Sequence, residues 1–150
     1  PPRSTLSSSS AASDVYKRQL PVYFVKLNLA VGGGRLLSDN FYWLARRDED
    51  YRSLDELPQV ALTGRARHAE GGARIELELR NPAKVPVLMV KATLRDADGR
   101  RLLPAFASDN YFSLLPGELR WFHIEPRTPV DGMQVTLEGW NVAPVSLPVK

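Results

Sequence analysis

Histidine, serine and cysteine are the residue types that would first suggest nucleophilic or metal chemistry in this sequence. Its two histidines, His68 and His123, fall on different predicted strands, and neither has an Asp, Glu or Cys at the spacing of a metal site. No Gly-x-Ser-x-Gly sequence is present to hold a serine nucleophile. Cysteine is absent, which excludes a disulfide framework, a thiolate zinc site and a cysteine nucleophile. We therefore interpret both histidines as surface or turn residues.

Acidic residues cluster at two places, Asp48-Glu49-Asp50 and Asp96-Ala97-Asp98-Gly99. Three adjacent carboxylates cannot converge on one ion without ligands from elsewhere, so the first run is predicted to be solvated. The second imitates the start of a calcium loop but lacks the third acidic ligand and the distal Glu. An Asp-Gly hairpin turn accounts for it. We expect no metal site and no cofactor.

The charge balance indicates neither a nucleic-acid binder nor a membrane protein. The formal net charge is +3, of which residues 1–19 supply +2 and the remaining 131 residues only +1. Arg65/Arg67 and Arg100/Arg101 are isolated pairs and do not form the basic stripe that nucleic acid requires. No apolar run approaches the roughly 20 residues that cross a bilayer.

The elements that could position functional side chains are predicted to be strands. Residues 1–19 are Ser-rich and aperiodic, so we expect a disordered and non-native tail. Two β-rich runs around Gly32-Gly33-Gly34 predict a hairpin over residues 20–45. The charged residues 46–58 are interpreted as a linker.

Residues 59–145 are predicted to form an antiparallel, immunoglobulin-like β-sandwich of about seven strands, followed by a tail at 146–150. The fold class is therefore all-β, with the hairpin and the disordered tail as N-terminal additions. Alternation of apolar and polar residues predicts the inward faces of three strands: Val60, Leu62, Gly64 and Ala66; Ile75, Leu77 and Leu79; and Leu88, Val90, Ala92 and Leu94.

Three stretches carry a resemblance to a known family: PAFASDNYFSLLPGE (104–118), SDNFYWL (38–44) and EGWNVAP (138–144). Together they resemble the C-terminal end of family 2 glycoside hydrolases of the exo-β-D-glucosaminidase and β-mannosidase type. The resemblance covers Pro21 to about Pro144. It implies that the hairpin closes a preceding β-sandwich domain, that the catalytic carboxylates lie on an upstream (α/β)-barrel, and that the parent protein is secreted or periplasmic.

The polar and aromatic knot at Ser108–Phe112 has two interpretations. In the structural one, Asp109 and Asn110 bond neighbouring backbone groups while Phe106, Tyr111 and Phe112 fill the core. In the functional one, which depends on the resemblance, Asp109, Asn110 and Tyr111 lie on the rim of the barrel's sugar site. Trp140 falls out of phase with its strand, so we expect it on the outer face, in a domain interface or as a sugar-stacking platform.

No residue matches the family's catalytic acid or nucleophile, so we assign no catalytic residue. Retaining glycosidases place two carboxylates about 5–5.5 Å apart on a rigid scaffold, which the family builds upstream. The resemblance predicts a non-catalytic C-terminal domain whose partners are the barrel and the preceding β-sandwich of the same parent chain, with carbohydrate at its rim. The alternatives are a free-standing carbohydrate-binding or adhesion module, and a structural module without a ligand. Glucosaminide and mannoside remain open as parent substrates.

Overall fold

The computed structural model describes residues 22–32, 36–69 and 74–150, which fall into two units divided between Glu56 and Leu57. The first unit contains the hairpin, and the second contains the sandwich. The predicted tail at 1–19 lies outside the described residues, as do Gly33 and Gly34 of the predicted turn. In the described ranges, no helix has the length and apolar character needed to cross a membrane.

The first unit is an antiparallel hairpin followed by a 3-10 helix. Strands β1 (Val22–Ala30) and β2 (Leu36–Ala45) confirm the predicted hairpin, with Phe24 paired to Trp43. A 3-10 helix at Asp48–Glu56 occupies most of the predicted linker. The hydroxyl of Tyr51 donates a hydrogen bond to the Trp43 carbonyl at 3.0 Å, so side-chain contacts tie the helix to the hairpin.

The acidic run at residues 48–50 is only partly solvated, which corrects the sequence-based expectation. Asp50 is buried, and its carboxylate lies 2.9 Å from the Arg47 guanidinium. The same guanidinium lies 3.5 Å from Glu49, on the exposed side. The run therefore makes local ion pairs with one arginine.

Much of the apolar surface of the hairpin is exposed. Among its described residues, eight large apolar side chains are at least 38% exposed: Tyr23, Leu27, Leu29, Val31, Leu36, Leu37, Tyr42 and Leu44. An isolated two-stranded hairpin is marginally stable in water, because it has too few neighbours to bury its side chains. The exposed surface is of the kind that marks a protein contact.

The second unit is a sandwich of two four-stranded antiparallel sheets, as predicted. One sheet has the order β10-β9-β5-β7 and the other β3-β4-β8-β6. The described residues of this unit form eight strands, one more than expected: β3 (Thr63–His68), β4 (Ile75–Arg80), β5 (Val87–Arg95), β6 (Ala105–Ala107), β7 (Phe112–Leu114), β8 (Leu119–Pro126), β9 (Gln134–Gly139) and β10 (Val142–Pro148).

The core lies between the sheets and follows the predicted alternation closely. Ile75, Leu77 and Leu79 on β4 are fully buried. On β5 the phase is broken, because the two residues between Val87 and Val90 oppose the single residue Ser113 on β7. The bulge places Val87 in the core cluster and leaves Leu88 outside it, although Leu88 is also fully buried. The predicted burial is confirmed for Leu88, and it was wrong for Gly64, which is exposed.

The predicted C-terminal tail is instead part of the sandwich. Strand β10 continues to Pro148 and pairs with β9, and Val142 and the following Val149 form parallel bridges to Val60 and Ala66. The Val149 and Lys150 amides donate to the carbonyls of Met133 and Ala66. The last strand thus joins the two sheets along one edge, which satisfies backbone groups that would otherwise face water.

Candidate functional site

The loop between β6 and β7 carries the chain from one sheet to the other. Strand β6 is an edge strand of one sheet, and β7 is an edge strand of the other. Residues 108–111 cross between them, on the side of the sandwich away from β3 and β10. A loop at this place must satisfy backbone groups of both edges, and short polar side chains are suited to that task.

Two of the polar side chains imitate strand pairing. The Asn110 side chain accepts from the Ala92 amide at 2.8 Å and donates to the Ala92 carbonyl at 3.2 Å. On the other sheet, Ser108 donates its backbone amide to the His123 carbonyl and accepts from the His123 amide through its hydroxyl, at 2.9 and 3.0 Å. Asn110 and Ser108 thus bond strand backbone groups that a further strand residue would otherwise pair with.

Asp109 pairs with an arginine rather than with neighbouring backbone. Its carboxylate accepts from Nε of Arg120 on β8 at 2.8 Å and from the Nη2 group of the same guanidinium. The guanidinium lies over the ring of Phe112, 5.5 Å from its centroid. Phe112 in turn packs edge-on against Phe122, with the centroids 5.2 Å apart. Asp109 therefore orients an arginine that covers the end of the core.

The three aromatic residues of the stretch do not share one environment. Phe112 is buried, as the structural interpretation predicts, but Phe106 and Tyr111 are 68% and 56% exposed. The expectation that all three fill the core was wrong for those two. Phe106 faces outward because it lies on the short edge strand β6 opposite Glu125. Tyr111 sits in a left-handed backbone conformation with φ of 58°.

Trp140 lies in the turn between β9 and β10, and it is exposed as its phase predicts. Its amide donates to the Leu88 carbonyl of β5 at 3.0 Å. The loop at residues 108–111 binds the same strand at Ala92. Two of the sequence-predicted candidates therefore bond strand β5, Trp140 at Leu88 and Asn110 at Ala92, whereas Asp109 bonds Arg120 of the other sheet.

Met89, between those two attachment points, was missed by sequence reasoning. It is exposed and has a left-handed φ of 56°. In the sequence it falls inside the apolar run VLMV, which reads as an ordinary strand. Nothing in that pattern signals a left-handed residue or the bulge that contains it.

A second feature lies on the outer face of the other sheet. A groove of about 300 Å³ is lined by Arg67, Arg74, Glu76, Trp121, Phe122 and His123. Trp121 is exposed, and the Arg65 guanidinium lies 5.8 Å from its ring centroid. Arg67 and Glu76 pair at 2.8 Å. An indole beside charged hydrogen-bonding groups can stack on a sugar ring and bond its hydroxyls.

The two histidines lie on different strands of this sheet, β3 and β8, which flank β4. His68 is exposed on β3, where its amide donates to the Lys150 carbonyl, and His123 lies on β8 with Glu125 3.5 Å from its ring. In the described part of the chain, no group of three or more His, Cys, Asp or Glu side chains is placed to hold a metal ion.

The Asn110 contacts lead to a stability prediction. Replacing Asn110 with alanine leaves the Ala92 amide and carbonyl without these partners, so we expect the free energy of unfolding to fall by about 2 kcal/mol. Urea denaturation followed by circular dichroism measures it. Tyr111→Ala is the control, because an exposed side chain should cost less than about 0.5 kcal/mol. Equal losses for the two variants would contradict the role assigned to Asn110.

Comparison with known proteins identifies the family of the sandwich. Residues 40–142 match the family model described as the exo-beta-D-glucosaminidase Ig-fold domain. The match includes the loop at residues 108–111 and Trp140, and it covers more than half of the chain.

Among curated proteins, the chain is similar to exo-beta-D-glucosaminidases. It is 26% identical to that of Streptomyces avermitilis over 84% of the chain and 17% of the relative, and 31% identical to that of Hypocrea jecorina over 71% and 15%. It thus spans less than a fifth of these relatives.

A solved structure gives the same result in three dimensions. The exo-chitosanase CsxA of Amycolatopsis orientalis superposes with a TM-score of 0.73 and 25% identity, over 85% of this chain and 18% of that one. In these relatives the matched segment is part of a larger, multidomain enzyme chain. From the family match and this superposition, the chain belongs to the family of exo-β-D-glucosaminidase immunoglobulin-fold domains.

Proposed function

We propose that this chain is a non-catalytic β-sandwich fragment of an exo-acting glycoside hydrolase of the exo-β-D-glucosaminidase or β-mannosidase type. In this proposal the sandwich supports the catalytic barrel of the parent chain and rims its sugar site. The observation that carries the proposal is the family match combined with the small share, 17%, of the Streptomyces avermitilis relative that the chain covers. The remaining length of that relative has room for the barrel on which we place the catalytic carboxylates.

The hairpin supports the same proposal. Its exposed leucines and tyrosines are the surface that a β-sandwich would bury, and we propose that it closes a sandwich domain that precedes it in the parent. Residues 57–150 would then be the domain that follows. The helix at Asp48–Glu56 would be the connection between the two.

Of the four rim candidates, Tyr111 and Trp140 are the ones whose exposed rings can contact a sugar. Asp109 and Asn110 already bond Arg120 and Ala92. We therefore propose that these two hold the shape of the rim while the aromatic side chains touch the ligand. The C–H faces of a pyranose pack well on an aromatic ring.

The proposal predicts that this chain alone hydrolyses neither nitrophenyl β-glucosaminide nor nitrophenyl β-mannoside. A chimera tests the positive side: the full-length Streptomyces avermitilis relative with its matching segment replaced by residues 22–150. We expect glucosaminidase activity in the chimera and its loss when the segment is deleted. Tyr111→Ala in the chimera should raise KM several-fold with kcat retained, because rim contacts are made equally in the ground and transition states. Turnover by the isolated chain after stringent purification would contradict the proposal.

The groove beside Trp121 favours a second candidate, a carbohydrate-binding module. This function predicts that the isolated chain binds oligosaccharides on a glycan array or by calorimetry, and that a single aromatic substitution abolishes binding. Trp121→Ala tests the groove and Trp140→Ala tests the turn between β9 and β10. The first candidate predicts no measurable binding by the isolated chain, so one titration separates the two.

A further inference from the structure

Two residues other than glycine hold a left-handed backbone in the parts of the chain that the structure describes. They are Met89 and Tyr111, with φ of 56° and 58°. Glycine occupies the other three described left-handed positions: Gly99, Gly117 and Gly132. A Cβ makes this conformation unfavourable, which is why glycine is the usual choice. The left-handed backbone at Met89 and Tyr111 therefore destabilises the sandwich, unless the packing of their side chains offsets the conformational strain.

Neither side chain offsets this strain by packing in the core. Met89 is 39% exposed and Tyr111 56%, and neither belongs to the core cluster. The backbone amide of Met89 makes only a long hydrogen bond, 3.4 Å, to the Ser113 hydroxyl. Strained residues outside the core are characteristic of contact and active sites.

The two strained residues adjoin Trp140 through the backbone. Strand β5 pairs with β7 at Val90 and Phe112, the residues that directly follow Met89 and Tyr111. On the other side, a Cβ built on Gly139 would lie 2.9 Å from the Leu88 carbonyl oxygen and 3.1 Å from that of Met89. The turn that carries Trp140 thus lies against Met89. Three exposed residues, Met89, Tyr111 and Trp140, share one end of one sheet.

We infer that Met89, Tyr111 and Trp140 form the surface through which the sandwich contacts the catalytic domain of its parent chain, with Met89 packed on that domain and the two rings at the edge of the contact, where they also face the sugar. This inference rests on the proposed function and adds Met89 and a location to it. The partner is an apolar protein surface with room for aromatic rings, because the three side chains are a thioether and two rings. More than four fifths of each relative's length lies outside the matched segment, which provides that surface within the same chain.

The first experiment measures the thermal midpoint of the full 150-residue chain with Met89→Gly or Tyr111→Gly. Glycine relieves the left-handed strain, so we expect the midpoint to stay unchanged or to rise by about 4 °C. A fall of more than about 4 °C would show that the side chains stabilise the sandwich itself, and it would overturn the inference. This result does not depend on the parent enzyme.

The second experiment uses the chimera described above and measures the half-life of its activity at a fixed elevated temperature. We expect Met89→Gly to shorten the half-life about tenfold, which corresponds to the loss of one good interface contact. Met89→Leu keeps the apolar side chain and should stay within about twofold of the unsubstituted chimera.

Phe106→Ala is the matched control, since Phe106 is an exposed aromatic residue on the other sheet. An equal loss for Phe106→Ala, or no loss for Met89→Gly, would overturn the inference while the chimera stays active. An inactive unsubstituted chimera would count against the proposed function instead, and the midpoints of the isolated chain would still decide the role of Met89 in the sandwich.

Discussion

Replacing Asn141 with alanine is expected to lower the free energy of unfolding of the sandwich by about 4 kcal/mol. Asn141 is almost fully buried, and its side-chain oxygen accepts from the Leu88 amide at 3.0 Å. Its side-chain nitrogen donates to the carbonyls of Pro86 at 2.9 Å and Pro58 at 3.3 Å. Alanine would leave three backbone groups without these partners. Each such loss in a buried place costs about 1–3 kcal/mol, so the sum is a large part of a typical domain's stability.

The measurement is urea denaturation of the full chain, read by circular dichroism. Gln59→Ala is the matched control, because it removes an exposed amide next to Pro58 and should cost less than about 0.5 kcal/mol. Asn141→Asp separates the effect of lost side-chain volume from that of lost hydrogen bonds, because aspartate is nearly the same size as asparagine. It keeps the acceptor for the Leu88 amide but turns a carboxylate oxygen toward two carbonyls, so we expect a loss at least as large as that of alanine. A loss below 1 kcal/mol for Asn141→Ala would show that these bonds are replaced by water.

The sequence predicted the core best where packing follows strand period alone. Ile75, Leu77 and Leu79 alternate with charged residues, and each of the three is fully buried. On β5 the predicted face is buried as well, but Val87 also enters the core through a bulge, which the all-apolar sequence around Leu88 does not signal. Period-2 reasoning assumes an unbroken ladder, and one extra residue reverses the faces of all that follow.

The end of the chain was predicted poorly for a different reason. Residues 146–150 were predicted to be a tail, but β10 runs to Pro148 and contains both Pro144 and Pro148, which cannot donate to a ladder. Strand β10 accommodates both because it is an edge strand of its sheet. Whether a proline faces a partner or solvent is a tertiary fact that local sequence does not contain.

The candidate site shows the same division between composition and placement. The residues Ser108 to Phe112 stood out because of their composition, and the structure gives Ser108, Asp109 and Asn110 specific bonds. Burial of the aromatics could not be predicted, because it depends on which sheet edge each residue reaches. Met89 and Trp121 gave no signal, since one looks like a core residue and the other like an ordinary outward-facing residue of an alternating strand.

Cutting the chain at Leu57 is expected to convert a self-associating protein into a monomer. The exposed leucines and tyrosines of the hairpin form an apolar surface and an open strand edge, both of which promote association. Residues 57–150 contain every strand of both sandwich sheets that the structure describes. Sedimentation velocity at several concentrations measures the change, and a clean monomer for the full chain would contradict this explanation.

The position of the cut matters because Asn141 uses the Pro58 carbonyl. A chain that begins at Gln59, where the predicted sandwich starts, loses that acceptor together with the buried Leu57 side chain. We expect it to be monomeric but less stable than the 57–150 chain by about 2 kcal/mol, from one lost hydrogen bond and one buried leucine. As a control, Leu27→Lys with Leu29→Lys in the full chain should reduce association without any truncation. If that double variant still associates while the 57–150 chain does not, the hairpin edge rather than its apolar face drives the contact, because backbone pairing would survive the loss of the leucines.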